Sequence, residues 1–166
     1  MTDLADRLIT ESEGCRLTAY KDTRGLWTIG VGHLLDNSYD RTGYTITQEE
    51  ANELLDQDTK KARQEATGFP HFFNMNEVRQ AVCVSMTFQL GTKPLHWPKF
   101  SAALEAENYT AAKAAGLDSL WAQQTSKRAS REMQMLATGK WVNLDGTTNQ
   151  EDGIIQEGDP QPGGNG

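Results

Sequence analysis

Residues 13–33 read EGCRLTAYKDTRGLWTIGVGH, and the character of the chain changes at both ends of this run. Apolar residues recur at helical spacing just before it, so residues 3–13 are predicted to form a short amphipathic helix that ends at Gly14. From residue 16 to residue 31, β-branched and aromatic residues flank the turn sequence Asp-Thr-Arg-Gly at 22–25, which is typical of a β-hairpin. This part of the chain therefore predicts a helix followed directly by a small sheet.

Two acidic residues of this segment fall in unlike predicted environments. Glu13 ends the predicted helix, where the negative end of the helix dipole disfavours its ionised form. Asp22 lies at the mouth of the predicted hairpin, where it stays solvated and ionised. Cleavage of a glycosidic bond needs such a pair, because one carboxyl protonates the leaving oxygen and the other manages a water. Taken singly, each acid also fits a surface or turn position without a catalytic role.

Side chains alternate along the predicted strand 27–33, so Thr28, Gly30 and Gly32 share one face. Glycine is unfavourable inside a strand, and two glycines at alternate positions indicate close approach of a ligand or of another backbone segment. We expect this bare face to form a wall of a sugar-binding site. A third short strand is predicted at residues 44–46.

The remainder of the body is predicted to be helical. Thr47 and Glu50 match a capping box, followed by a helix of roughly 30 Å that can join two lobes and ends near residue 67. Residues 77–90 have almost no polar face, which predicts a buried central helix. Shorter helices around this element are predicted at residues 100–106, 110–115 and 126–137.

The composition is typical of a soluble globular protein. Of the 166 residues, 37% are hydrophobic and 23% are charged, and no run approaches the roughly 20 apolar residues of a membrane span. A net charge of −7 argues against a nucleic-acid partner. The first seven residues lack the basic start and apolar run of a signal peptide, so a cytoplasmic product is expected. Free thiols are predicted for Cys15 and Cys83, with a bridge between them as the alternative.

No metal or cofactor is expected from the remaining motifs. Gly30 and Gly32 lack the third glycine and the following helix of a nucleotide loop. The three histidines lie apart from one another and from any cysteine pair, which leaves no metal-ligand spacing. Residues 143–166 contain much Gly, Pro and acid and little to bury, so they are predicted to form a flexible acidic tail.

The spacing Glu13, eight residues, Asp22, five residues, Thr28 resembles the catalytic signature of the phage-type lysozymes, glycoside hydrolase family 24. The resemblance covers about residues 4–142 and implies an α+β, lysozyme-like fold with a cleft between two lobes. The implied parts are a small hairpin lobe at about 14–47, a connecting helix at about 48–67, and a larger helical lobe at about 68–142 that includes the N-terminal helix.

Further residues are implied by matching segments of the same family, among them the Phe-Gln pair at 88–89 and the sequence LWAQQTSKRA at 120–129. The resemblance pairs His33 with Asp58 and places Arg128 near Glu13. The residues expected to bind substrate are Gly32, Leu34, Phe88, Gln89, Trp121 and Thr125.

The activity implied by the resemblance is hydrolysis of the β-1,4 bond between N-acetylmuramic acid and N-acetylglucosamine in bacterial peptidoglycan. Inversion is implied, with Glu13 as general acid, Asp22 and Thr28 activating the water, and no cofactor. The simplest biology is a monomeric phage endolysin without membrane insertion. It would wait in the host cytoplasm until a holin-type protein permeabilises the membrane. The alternatives are a virion-associated lysozyme module and a non-catalytic peptidoglycan-binding module.

Overall fold

The structure, a computed structural model, describes residues 3–148. Within this range it is an α+β fold in which a small antiparallel sheet follows the first helix and all other helices follow the sheet, as predicted. In chain order the elements are α1 (Leu4–Glu13), β1 (Arg16–Lys21), β2 (Trp27–Gly30), β3 (His33–Leu34), α2 (Gln48–Ala66), α3 (Glu77–Leu90), α4 (Pro98–Glu105), α5 (Tyr109–Leu117), α6 (Leu120–Gln124) and α7 (Ser126–Thr138).

The sheet has the order β1-β2-β3, with both pairs antiparallel. The prediction of one continuous strand over 27–33 was wrong, because β2 ends at Gly30 and the chain reverses before β3. Gly30 and Gly32 have φ angles of +61° and +68°, a conformation that side chains other than glycine rarely adopt. The two glycines therefore serve a tight turn and do not form one bare strand face.

The third strand also differs from the prediction. Residues 33–34 pair with β2, whereas the segment predicted as a strand, 44–46, makes only an isolated bridge from Thr45 to Thr18 of β1. The early reversal at Gly30 brings residues 33–34 beside β2 before the chain reaches residue 44. The later segment is consequently left to extend the outer edge of β1.

Helix α2 connects the sheet to the helical part of the molecule. The predicted capping box is present: the Thr47 hydroxyl accepts from the Glu50 N–H at 3.1 Å and the Glu50 carboxylate accepts from the Thr47 N–H at 2.8 Å. The helix packs against β2 on one side and against α3 on the other. Near the C-terminal end of α2, Arg63 forms ion pairs with Asp3, the N-cap of α1, and with Asp6 in the first turn of α1. Helix α2 therefore holds α1, the sheet and the helical core in one arrangement.

Helix α3 is the buried centre of the fold, as its apolar pattern predicts. Every residue from 81 to 87 is buried, and the Thr87 hydroxyl bonds to the carbonyl of Ala62 in α2 at 2.9 Å. Gly91 ends the helix with φ +64°. Helices α4, α5 and α7 match the predicted shorter helices to within a few residues, whereas α6 was not predicted.

The end of the described chain is more ordered than the predicted tail boundary implies. The Asn143 N–H bonds to the carbonyl of Thr147 at 2.7 Å, and Val142 pairs with Thr148 in a β-bridge. Backbone pairing thus extends past residue 143, because a turn through Gly146 needs no apolar core to close. The rest of the predicted tail, 149–166, lies outside the described residues.

Two further features concern the thiols and membranes. Cys83 is buried and Cys15 is half-buried, and both are free thiols as predicted. None of the helices within residues 3–148 is long and apolar enough to cross a membrane.

Candidate active site

Glu13 is the last residue of α1, and Gly14 follows it with φ +73°. The Oε1 atom of Glu13 accepts a hydrogen bond from Nη1 of Arg128 at 2.5 Å, in an ion pair whose carboxylate side chain is 29% exposed. On the other side of the carboxyl, a Cβ atom built on Gly32 would lie 3.6 Å from Oε2. The carboxyl of Glu13 therefore lies between α7 and the turn that connects β2 to β3, and part of it stays open to solvent.

Asp22 lies in the hairpin turn and is held by hydrogen bonds. Its Oδ1 atom accepts from the backbone N–H groups of Arg24 at 2.8 Å and Leu26 at 3.0 Å, and its Oδ2 atom accepts from Nη2 of Arg24 at 3.0 Å. The hydrogen bond from the Leu26 N–H, aided by those from Arg24, holds the pKa of Asp22 below its usual value of 3.8. Asp22 is consequently a carboxylate at neutral pH, which is the state that sequence analysis predicts.

Thr28 is buried on β2, and its hydroxyl donates to the carbonyl of Leu26 at 3.0 Å. The N–H of this same Leu26 donates to Asp22. The backbone N–H and carbonyl of one residue therefore orient both predicted catalytic side chains. Because the hydroxyl proton of Thr28 is directed to Leu26, the lone pairs of Oγ1 remain able to accept a hydrogen bond from a water or a substrate hydroxyl.

Tyr20 was not predicted as a site residue, yet the sheet places it opposite Thr28. Burial raises the pKa of its phenol, and the negative charges of Glu13 and Asp22 both raise it further, against the opposing effect of Arg16. The phenol therefore lies within electrostatic range of both predicted catalytic acids. The signal that could have revealed Tyr20 is the hairpin register, which follows from the turn at 22–25.

Arg128 links Glu13 to the interior of the helical lobe. Its side chain is 12% exposed, and besides Glu13 it contacts Ser85 of α3 through Nη2 at 3.0 Å and Glu132 of α7 through Nε at 3.3 Å. The resemblance-based placement of Arg128 beside Glu13 is thus present in the structure. Neither Ser85 nor Glu132 was predicted as a site residue.

The predicted ligand-binding residues of the helical lobe form a connected group around α6. The indole N–H of Trp121 donates to Oε1 of Gln89 at 2.8 Å, and the hydroxyl of Thr125 donates to the carbonyl of Trp121 at 2.9 Å. Trp121 is only 3% exposed. Its ring is therefore covered, and the polar group that this pair can present to a ligand is the amide of Gln89. Phe88, also predicted to bind substrate, packs on the hydrophobic core with only partial burial.

The small lobe contributes two further predicted residues. Leu34 lies opposite Thr28 in the sheet and is 50% exposed, so its apolar surface is open to a ligand. The neighbouring His33 forms the predicted pair with Asp58 of α2, with Nδ1 and Oδ2 2.7 Å apart. This pair fixes the position of β3 relative to α2.

The family model of the phage lysozymes matches residues 10–138, a range that includes Glu13, Asp22, Thr28 and Arg128. This chain belongs to the phage lysozyme family. The α+β fold agrees with that membership, as does the spacing of Glu13, Asp22 and Thr28 that resembles the family signature.

The chain is similar to three proteins of different lengths. The chain is 34% identical over 131 residues to the endolysin of Salmonella phage P22, covering 77% of this chain and 84% of that protein. It is 27% identical over 157 residues to the Dictyostelium discoideum protein named "Probable T4-type lysozyme 1", covering 80% and 92%. It is 33% identical over 158 residues to the pre-baseplate central spike protein of Enterobacteria phage T4, covering 80% of this chain but only 27% of the spike protein.

Proposed function

We propose that this lysozyme-family chain is a muramidase that hydrolyses the β-1,4 bond between N-acetylmuramic acid and N-acetylglucosamine in bacterial peptidoglycan. The observation that carries the proposal is the placement of Glu13, Asp22 and Thr28. Glu13 is paired with Arg128 of α7, whereas Asp22 is a carboxylate held by backbone N–H groups of its own hairpin turn. Two carboxyl groups in such unlike surroundings suit the division into acid and base that glycoside hydrolysis requires.

In the proposed reaction, Glu13 is the general acid. Arg128 occupies Oε1 of Glu13, so Oε2, which faces the turn at Gly32, is the oxygen that carries the proton. This proton passes to the glycosidic oxygen as the bond to the sugar carbon breaks. The positive charge of Arg128 then stabilises the carboxylate that remains.

Asp22 and Thr28 act on the attacking water in this proposal. The carboxylate of Asp22 accepts a proton from the water, and the lone pairs of Thr28 Oγ1 accept the water's second hydrogen bond. Leu26 holds both side chains, which keeps the water aligned with the sugar carbon. Attack by a water opposite the leaving oxygen gives inversion at that carbon.

The proposal is tested on purified peptidoglycan by mass analysis of the released fragments. A muramidase releases fragments with reducing N-acetylmuramic acid ends, whereas a lytic transglycosylase releases anhydro sugars. Proton NMR of the first product formed reports the anomer, and the α anomer is expected for inversion of a β bond. Binding to the wall without fragment release would identify a non-catalytic module and overturn the proposal.

The biological setting that we propose is that of a monomeric endolysin that acts after a holin-type protein has permeabilised the host membrane. Similarity to the endolysin of phage P22 over 84% of its length supports it. The test is expression of the intact chain in a bacterium, with and without chemical permeabilisation of the inner membrane. Lysis that requires permeabilisation supports this setting and its cytoplasmic starting point, whereas spontaneous lysis contradicts it.

A second setting, a lysozyme module of a virion, is favoured by the similarity to the T4 spike protein. This chain matches about a quarter of that relative, so a longer protein containing the domain fits the same observation. Detection of the chain in purified phage particles would favour this setting over the endolysin.

A further inference from the structure

Glu132 is an acidic residue of α7 with no exposed surface. Its Oε1 atom accepts from Nε of Arg128 at 3.3 Å and from the hydroxyl of Ser85, whereas Oε2 has no hydrogen-bond partner among the described residues. A carboxyl group buried in this way is costly, because the charged form loses its hydration. The neighbours that compensate this cost are the largely buried Arg128 and the hydroxyl of Ser85.

The position of Glu132 ties it to the proposed active site. Arg128 lies one helical turn earlier and contacts Glu132 and Glu13 at the same time, through Nε and Nη1. Its side chain is 12% exposed and that of Glu132 is 0% exposed, so solvent screens this contact less than it screens the contact with Glu13, whose side chain is 29% exposed. One largely buried cation thus serves two carboxyl groups, one in the core and one in the site.

Other charges surround this group. Helix α6, which also packs on α7, has no ionisable side chain. Cys83 of α3 is also an electrostatic neighbour of Glu132, but burial raises the pKa of this thiol and keeps it neutral. The ionisable groups that act directly on Glu132 are Arg128 and Arg131 of α7 and Cys83 of α3. Farther out, around these two arginines, lie Arg7, Glu11 and Glu13 of α1 and Lys113 of α5.

Of these groups, only Arg128 connects Glu132 to Glu13 within residues 3–148. Arg131 contacts Glu11 at 2.5 Å, and Arg7 contacts that same carboxylate from the surface. Lys113 is bonded to Gln134 at 2.6 Å. Arg131 thus acts on Glu132 through its charge, while its hydrogen bonds go to Glu11 and to the carbonyl of Val142.

We propose that Glu132 is a positioning residue that shares Arg128 with Glu13 and thereby keeps Glu13 able to hold the proton that it donates. The inference rests on the proposed function of Glu13 as general acid. While Glu132 is ionised, Arg128 is divided between two carboxyl groups and stabilises the carboxylate of Glu13 less than it would alone. When Glu132 is uncharged, Arg128 is left to Glu13 and favours its ionised form, which cannot donate.

The hydroxyl of Ser85 supports this arrangement. It accepts from Nη2 of Arg128 and donates to Glu132, so it stabilises the charged form of an acid whose pKa burial raises. Loss of that hydroxyl therefore favours neutral Glu132 and acts in the same direction as removal of the charge. Ser85 thus offers an independent way to change the sharing of Arg128 without altering either carboxyl residue.

The test is the pH dependence of kcat/KM on a soluble peptidoglycan fragment, whose alkaline limb reports deprotonation of the general acid. Glu132→Gln keeps the shape and the acceptor oxygen but removes the charge. The alkaline limb of this variant is expected to move to lower pH by about one unit. Ser85→Ala is expected to move the same limb in the same direction by a smaller amount. Glu53→Gln, which removes a charge from an exposed position of α2, is the matched control and is expected to leave the profile unchanged.

The outcomes separate this inference from the proposed function. Absence of fragment release by the wild-type chain defeats the proposed function and, with it, the inference. If the wild type is active, an alkaline limb that stays in place in both variants, or moves to higher pH, overturns the role of Glu132 alone. If Glu132→Gln does not fold, the Ser85→Ala profile decides by itself.

Discussion

Glu13 and Arg128 are 115 residues apart in the chain, and their side chains form an ion pair of 2.5 Å. The pair joins the last residue of α1 to the first turn of α7. Asp22 has no such contact with the helical lobe among the described residues, and its hydrogen bonds all come from its own hairpin turn. The proposed acid is thus positioned by the helical lobe, whereas the proposed base is positioned by the sheet.

Replacement of Glu13 by Gln is expected to lower turnover by at least a hundredfold. The amide cannot donate the proton, and general acid catalysis contributes about 10²–10⁴-fold. The measurement is lysis of bacterial walls together with thermal unfolding, since the loss must lie in turnover and not in folding. Glu53→Gln serves as the control for the loss of one charge. Wall lysis by folded Glu13→Gln at more than a few per cent of the wild-type rate would contradict the assignment.

The acidic limb of the activity profile is expected below pH 3.8. The Leu26 N–H and Arg24 hold the pKa of Asp22 below that value, so the carboxylate that accepts the water's proton persists as pH falls toward it. The measurement is kcat/KM against pH, with circular dichroism to confirm folding at the acid end. An acidic limb above pH 5 in folded protein would assign the base to another group.

Much of the site was predictable because it is local in sequence. Glu13 and Asp22 stand nine positions apart in the chain, and the structure places Glu13 at a helix end and Asp22 in a hairpin turn, as predicted. The turn at Gly30 and Gly32 was misjudged, because alternate glycines fit a bare strand face as well as a tight reversal, and only the backbone angles distinguish the two.

Glu132 was missed for a different reason. It lies in the charged run SKRASRE, where an acid at i+4 from an arginine is usually a solvated surface partner. Its burial depends on how α7 packs against α3, which is a long-range feature. The local pattern therefore gives no sign that this carboxyl is inside the protein.

The pH dependence of stability provides a separate check on Glu132. Burial raises the pKa of Glu132 in the folded state above its usual value of 4.5, so the folded state binds this proton more tightly than the unfolded state. The stabilisation that the proton provides is fully present below pH 4.5 and is lost as pH rises through the folded-state pKa. The stability of Glu132→Gln relative to wild type is expected to improve from pH 4 to pH 8, measured by urea unfolding. A constant difference over this range would show that the two states bind the Glu132 proton equally.

The pair between His33 and Asp58 is expected to stabilise the junction of β3 and α2. Both side chains are mostly covered and 2.7 Å apart, and contacting residues of this kind show coupling energies of about 0.5–3 kcal/mol. The measurement is a double-mutant cycle of His33→Asn and Asp58→Asn by denaturant unfolding at pH 6. Additive losses, within error, would show that the two groups do not interact energetically.

Truncation before residue 150 is expected to leave the melting temperature unchanged and to keep or increase the rate of wall lysis at low salt. Residues 150–166 contain four acidic residues and no basic one, so their removal changes the net charge from −7 to −3. A less negative protein is repelled less by an anionic wall, and the difference should shrink as salt shortens the screening length from about 30 Å at 0.01 M to about 8 Å at 0.15 M. Lysis by both proteins is measured across that salt range. A large fall in melting temperature would show that the segment packs on the body, and slower lysis at low salt would show that it assists the encounter with substrate.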